Sequence, residues 1–307
     1  MRRDTAILNN KKIGPSHPNF EKEDTSVSTK RNFEWKWGAG RVLRGTFFPA
    51  QGESKGIVMI CHGYKGFKDW GFFPYLGERL AEDFDVVSFN FTHNGIGEDL
   101  MNFTELDKFA RNTYTQELTD LTELLAAIRA GGIPELVVTN RPVFLLGHSR
   151  GAGACLIYAM DHPGAVDGIV SWNGITRVDL YSAEEKADMR QSGRAYVLNG
   201  RTKQRMPLDV VLLEDLERNQ ERYDILQRAA TELKTPVVLI QGEKDGAYLR
   251  AGSAELMAIC PEVTRHEIAG GNHTFLTVHP YQGTTPALEE AIRLTHAWLL
   301  ERVNSAT

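Results

Sequence analysis

The stretch Val143-Phe144-Leu145-Leu146-Gly147-His148-Ser149-Arg150-Gly151-Ala152-Gly153-Ala154-Cys155-Leu156-Ile157 decides how this chain is read. Its first four residues form a short apolar run fit for a buried strand, and from Gly151 onward small residues pass into a helical pattern. Between the two lies G-x-S-x-G. A sharp strand-to-helix turn holds such a serine in a strained backbone region, and glycines two positions before and after it let strand and helix approach without side-chain collision. Ser149 is therefore a candidate nucleophile, with a tight turn lacking chemistry as the plainer alternative.

Outward from this turn, further apolar runs alternate with amphipathic stretches, the pattern of parallel strands covered by helices. The runs are 57–61, 86–91, 168–172, 236–240 and a weaker one at 263–268. Leu118, Leu121, Leu125 and Ile128 share a helical face, as do Leu288, Ile292, Thr295 and Leu299 after Pro286. Nearer the start, Phe33, Trp35 and Trp37 alternate with polar residues, Gly38-Ala39-Gly40 turns the chain, and 42–48 returns as a hairpin partner. Two antiparallel strands feeding about six parallel ones give the expected class, α/β with a mostly parallel eight-stranded sheet and helices on both faces.

The runs near 173 and 236 lie about 60 residues apart, far beyond an ordinary crossover. Residues 175–233 are therefore expected as a helical cap inserted into a core of 33–174 and 234–307. Helical pieces are expected at 183–191 and 208–233, around the Gly200-Arg201-Thr202-Lys203 middle. Residues 1–32 are polar and aperiodic, and read as an N-terminal arm.

Composition narrows the function classes. With 42% hydrophobic and 24% charged residues the chain sits in the globular range. A net charge of -5 supplies no basic field for a phosphate backbone, so no nucleic-acid partner is expected. Cys61, Cys155 and Cys260 are odd in number and lack pairing or metal-ligand spacing, which suggests reduced thiols in a cytoplasm. The first 32 residues hold no apolar run longer than Ala6-Ile7-Leu8, so neither a secretory nor a membrane segment is expected. No metal-ligand cluster or phosphate-binding glycine loop appears, so no cofactor and no metal are expected. The oligomeric state is open, a homodimer being one option.

A serine hydroxyl needs a base within hydrogen-bond reach and a group to orient that base. In a strand-turn-helix topology of this kind the partners follow in the order serine, acid, histidine. Gln241-Gly242-Glu243-Lys244-Asp245 follows one strand run and Ala269-Gly270-Gly271-Asn272-His273-Thr274-Phe275 follows the last. Asp245 and His273 are the candidates. Glu243 is a rival acid, and Asp245 read as a helix cap is the structural alternative. Among other histidines, His266 falls in a strand and His279 and His296 lie downstream. An oxyanion needs backbone donors, and Arg150 after the nucleophile supplies one. Cys61-His62-Gly63-Tyr64-Lys65-Gly66 holds the second, at Tyr64 or alternatively Lys65, while His62 reads as a structural hydrogen-bonding residue. Trp70, Phe72, Phe73 and Trp172 supply aromatic surface near the expected mouth, and His93 in Thr92-His93-Asn94-Gly95 is a candidate lining residue. Core packing and a turn position are their plainer readings. Trp172, Trp70 and His93 are carried forward as substrate-binding candidates.

On these motifs, from about 33 to 303, the chain resembles the α/β-hydrolase superfamily. It is similar to the bacterial branch around cinnamoyl and feruloyl esterases, dienelactone-hydrolase-like proteins and serine aminopeptidase-like proteins. The resemblance implies ester hydrolysis through an acyl-enzyme, with backbone donors at Tyr64 and Arg150. Dienelactone hydrolases carry a cysteine nucleophile where Ser149 stands, and epoxide hydrolases and haloalkane dehalogenases an aspartate, which argues against those chemistries. The first expectation is a carboxylesterase acting on small to medium acyl or aryl esters. A peptidase releasing N-terminal residues is the alternative, with Glu184, Glu185, Glu214, Asp215 and Glu217 available to hold an ammonium. A hydrolase fold kept as a binding module comes third, opposed by the nucleophile, acid, base and oxyanion loop all standing in register.

Overall fold

The computed structural model describes residues 30–38, 40–137 and 140–305. Its strands are β1 (Arg31–Trp37), β2 (Arg41–Phe48), β3 (Ile57–Cys61), β4 (Asp85–Asn90), β5 (Val143–His148), β6 (Gly168–Trp172), β7 (Arg194–Leu198), β8 (Arg205–Asp209), β9 (Val237–Gly242) and β10 (Thr264–Ile268). Eight of them form one sheet in the order β1-β2-β4-β3-β5-β6-β9-β10. β2 runs antiparallel to both β1 and β4, and all remaining neighbours are parallel. The interior strands β3, β4, β5, β6 and β9 are buried along their whole length, which is why they read as near-continuous apolar runs. The edge strand β10 instead carries Thr264, Arg265, His266 and Glu267, polar residues that discourage pairing with another chain.

The helices are α1 (Phe73–Leu80), α2 (Leu106–Phe109), α3 (Tyr114–Arg129), α4 (Arg150–Asp161), α5 (Ala183–Ser192), α6 (Val211–Arg218), α7 (Ile225–Glu232), α8 (Ala247–Ile259) and α9 (Pro286–Ser305). Alternate residues of one strand serve opposite faces of the sheet, as the two-residue period requires. Leu145 joins Leu118, Leu121 and Leu125 of α3 and Leu156 of α4 in one core. Phe144 and Leu146 join Leu76 and Leu80 of α1 and Leu288, Ile292 and Leu299 of α9 in the other. Thr113 caps α3 by accepting the N–H of Gln116, and Pro286 opens α9, where its missing N–H costs nothing.

Two expectations need correction. β1 starts at Arg31, with Asn32 paired opposite Thr46, so the last residues assigned to the polar arm belong to the sheet; residues 1–29 lie outside the described residues. The segment between β6 and β9 is not wholly helical. β7 and β8 form an antiparallel hairpin whose turn is the Gly200–Lys203 stretch, and the helix expected over 208–233 is divided into α6 and α7. Pro207 lacks the N–H a helix interior needs and sits in β8 instead. Asp224 starts a fresh helix by accepting the N–H of Gln227 at 3.0 Å. A third cluster clamps this inserted segment onto the loops after β3 and β4 and onto α2, with Met189, Ala195, Met206, Leu208 and Leu212 packed on Phe67, Ile96, Phe103 and Phe109. Among the described residues no helix is long and apolar enough to cross a membrane.

Candidate active site

Ser149 occupies the single residue between β5 and α4, with φ 55° and ψ −119°. This left-handed conformation costs a non-glycine residue about 1–3 kcal/mol and persists only where the surroundings enforce it. The Ser149 N–H donates to the Trp172 carbonyl at 2.9 Å, and its own carbonyl accepts from Ala152 and Ile175. A Cβ at Gly147 would lie 2.4 Å from the Ala152 backbone, and one at Gly151 would lie 2.3 Å from the Cys61 carbonyl. Both flanking glycines are therefore required by close approach, one to the helix and one to β3.

Asp245 and His273 meet as the chain order suggested. His273 Nδ1 donates to Asp245 Oδ1 at 2.8 Å, which leaves Nε2 as the proton-accepting nitrogen. The Asp245 side chain is 1% exposed and the His273 side chain 40%, so the pair is anchored at its acid end and open at its imidazole end. Asp245 also accepts from the Gly246 N–H at 2.8 Å and from Gln241 Nε2 at 2.6 Å. Glu243, the rival acid, is exposed and accepts the Gly270 N–H instead.

Several supporting residues were not read from the sequence. Asn173, fully buried just after β6, donates through Nδ2 to the carbonyls of Asn272 and His273, and its Oδ1 accepts from Gln241 and Gly242. Ser253 of α8 donates to Gln241 Oε1 at 2.6 Å, fixing which way that amide faces. His148 donates from Nε2 to the His273 carbonyl at 2.8 Å, and burial, reinforced by neighbouring His273, lowers its pKa to about 3, so the ring is neutral. No sequence signal marks these roles, because each depends on which strand ends become neighbours.

Arg150 is the first residue of α4, so its backbone N–H has no intrahelical acceptor. Its guanidinium is held by α3, 2.9 Å from Glu117 Oε1 and 3.9 Å from the centre of the Tyr114 ring. Tyr64 and Lys65 stand in the turn closed by the Gly66 N–H donating to Gly63 O. His62 supports that turn, donating from Nδ1 to the Gly63 carbonyl and accepting the Phe91 N–H at Nε2, and burial lowers its pKa to about 4.

Ser149 and His273 line a cavity of about 140 Å³ with Gly63, Tyr64, Trp70, Phe73, His148 and Thr274. They also face a wider cleft of about 600 Å³, walled by Tyr181, Glu185 and Val197 of the inserted segment and by Tyr248 of α8. Of the three substrate-binding candidates only Trp70 lines this space. Trp172 is fully buried, with Nε1 donating to Thr295 Oγ1 at 2.8 Å, because its side chain points to the face covered by α9. His93 lines neither cavity; its Nδ1 lies 2.9 Å from Thr92 Oγ1, and burial lowers its pKa to about 4. The acidic residues suggested for an ammonium are mostly engaged elsewhere. Asp215 holds Thr115 and Tyr223, Glu217 pairs with Arg190, and Glu185 caps α5. The three cysteines are free and buried. Among the described residues no group of three or more His, Cys, Asp or Glu is placed to hold a metal ion.

The family described as serine aminopeptidase, S33 (Hydrolase_4), matches residues 52–224. No curated protein sequence matches the chain. Among solved structures, Est1E from Butyrivibrio proteoclasticus aligns with a TM-score of 0.62 at 13% identity, over 89% of this chain and 99% of its own. A soluble variant of monoglyceride lipase from Saccharomyces cerevisiae gives 0.63 at 15%, over 93% and 98%. A monoacylglycerol lipase from Paleococcus ferrophilus gives 0.61 at 19%, over 85% and 99%. At these identities the likeness is one of fold.

Proposed function

Because the chain belongs to the Hydrolase_4 family of the α/β-hydrolase superfamily, we propose that it is a serine carboxylic-ester hydrolase acting on small to medium acyl or aryl esters. The observation that carries this reading is the 2.8 Å hydrogen bond from His273 to Asp245 at the edge of the cavity that holds Ser149. Ser149 Oγ attacks the ester carbonyl while His273 Nε2 takes its proton, and Asp245 holds the imidazole tautomer and stabilises the imidazolium. The oxyanion receives the backbone N–H groups of Tyr64 and Arg150, each worth about 10²–10³ in rate at comparable sites. His273 then protonates the leaving alcohol, which departs and leaves an acyl group on Ser149. Water, deprotonated by the same histidine, adds to that acyl carbon and releases the acid.

The aromatic wall at Trp70 and Phe73 suits an apolar or aromatic acyl group, and a structural neighbour, Est1E, has been solved with ferulic acid bound. A small-molecule ester is the partner in this reading, with no cofactor and a cytoplasmic setting. The family's description names an aminopeptidase, and Glu185 in the cleft is the one suggested carboxylate that such a reading could use. Its role in capping α5 favours the ester reading. A fluorophosphonate probe followed by peptide mass mapping tests the nucleophile: adduct on Ser149 is expected, and labelling elsewhere or none at all would overturn the mechanism. Faster turnover of aminoacyl nitroanilides than of simple nitrophenyl esters would move the peptidase reading ahead.

A further inference from the structure

We propose that Lys65 sets specificity, its ammonium selecting esters that carry a carboxylate close to the scissile bond, such as half-esters of short dicarboxylic acids. The inference rests on the ester-hydrolase reading and names a substrate class within it.

Lys65 lines both the narrow cavity and the wider cleft, in each case together with Ser149 and His273. Among the described residues its ammonium has no carboxylate partner within ion-pair distance, and its recorded contact is with the Tyr64 ring, 5.2 Å from the centroid. Two carboxylates share the cleft, and both are engaged. Glu185 accepts the Ser182 N–H at 2.7 Å as part of the α5 cap, and Asp179 is paired with Lys186. Burial pulls the Lys65 pKa down, and Glu185 acts across the cleft in the opposite sense, favouring the charged form. The result is a partly desolvated cation on a residue that lines the same cavities as Ser149 and His273, with its counter-charge held at a distance.

The backbone adds an independent observation. Lys65 has φ 55°, the left-handed region that favours glycine, in a turn that already holds Gly63 and Gly66. A lysine there bears strain that a glycine would relieve, and strain of this kind gathers at ligand-binding positions. A carboxylate entering the cleft would meet an ammonium that has lost part of its hydration, which strengthens their attraction relative to bulk water. The flexible stem of lysine lets one charge reach an anion on either side of the scissile bond. The chemistry is unchanged: water adds to the acyl carbon, the acyl–oxygen bond breaks, and a half-ester yields the dicarboxylate and the alcohol.

The test compares two matched substrate pairs on the full chain and on Lys65→Met. One pair is mono-4-nitrophenyl glutarate against 4-nitrophenyl pentanoate, with the carboxylate on the acyl side. The other is 4-acetoxybenzoate against 4-acetoxybenzamide, with it on the alcohol side. The quantity read is the anionic-to-neutral ratio of kcat/KM in the parent divided by that in the variant, which cancels differences in leaving-group reactivity. A quotient of about ten in at least one pair is expected for a charge-assisted contact. It should shrink as salt rises and be partly restored in Lys65→Arg. Quotients within two-fold of unity for both pairs, with neutral esters hydrolysed, would overturn the role of Lys65 and leave the ester reading intact. Hydrolysis of none of the four by the parent would instead remove the reading on which it rests.

Discussion

Asn173 donates from Nδ2 to the His273 carbonyl at 3.0 Å while its Oδ1 accepts the Gly242 N–H at 2.7 Å. One buried side chain at the end of β6 thus ties the loop bearing His273 to the end of β9, from which Asp245 follows. Asn173→Asp keeps the shape and removes the donor, placing a carboxylate against two carbonyl oxygens. Misplacement of a catalytic group by about 1 Å can cost about 100-fold, so kcat should fall by about 10–100-fold with little change in KM. Steady-state kinetics on a nitrophenyl ester, with circular dichroism as a folding control, read this out. Parental kcat in a folded variant would show that Asn173 does not position the histidine.

Among the described residues Glu117 is the sole carboxylate bonded to the buried Arg150 guanidinium. Glu117→Gln leaves that cation uncompensated in the interior, a loss of about 3–5 kcal/mol where one partner of a buried pair is removed. Urea denaturation should show the drop, and activity should fall with it, since Arg150 begins the helix that follows Ser149. A loss below about 1 kcal/mol would mean that Tyr114 and the Asn112 carbonyl suffice for the charge.

Buried neutral histidines shape the acid limb of stability. Burial lowers the pKa of His62 to about 4 and of His148 to about 3, against about 6.5 in an unfolded chain. As pH falls from about 6.5 toward 4 the unfolded chain takes up both protons and the folded one does not, so each ring removes about 1.4 kcal/mol per pH unit. Asp120 works the other way. Burial raises its pKa to about 7, so over the same window the folded form holds a proton that the unfolded form lacks, and stability is gained. Asp120→Asn deletes that gain. Unfolding free energies from urea titrations across the window should fall more steeply for the variant than for the parent, by about 1.4 kcal/mol per pH unit. Parallel curves would contradict the assignment.

Trp70 lines the 140 Å³ cavity together with the aromatic rings of Tyr64 and Phe73. Trp70→Ala opens that end, so the preferred acyl length across a nitrophenyl ester series should move from short chains in the parent to longer ones in the variant. An unchanged chain-length profile would place the acyl group in the wider cleft instead.

The interior of the sheet was legible because β3, β5 and β6 are covered on both faces and must be apolar throughout. The turn at Ser149 was legible because close approach to Ala152 and to the Cys61 carbonyl admits only glycine at 147 and 151. Asp245 and His273 could be placed at the ends of successive strands, where the structure joins them. The β7–β8 hairpin was missed, since five-residue strands with one face on Phe67 and Phe103 carry too short a pattern to separate from helix. Trp172 was misplaced because residue type does not say which face of a strand it serves, and Thr295, its hydrogen-bond partner, lies more than a hundred residues away. Asn173 and Gln241 left no signal, as their partners exist only once β6, β9 and the loop after β10 are side by side.

The most direct measurement is hydrolysis of 4-nitrophenyl butyrate at neutral pH by the parent and by Ser149→Ala, each verified as folded. The parent should turn the ester over, and the variant should lose at least about 10³-fold in kcat, retaining at most what binding and the oxyanion donors supply. Equal rates in the two proteins would contradict Ser149 as the nucleophile.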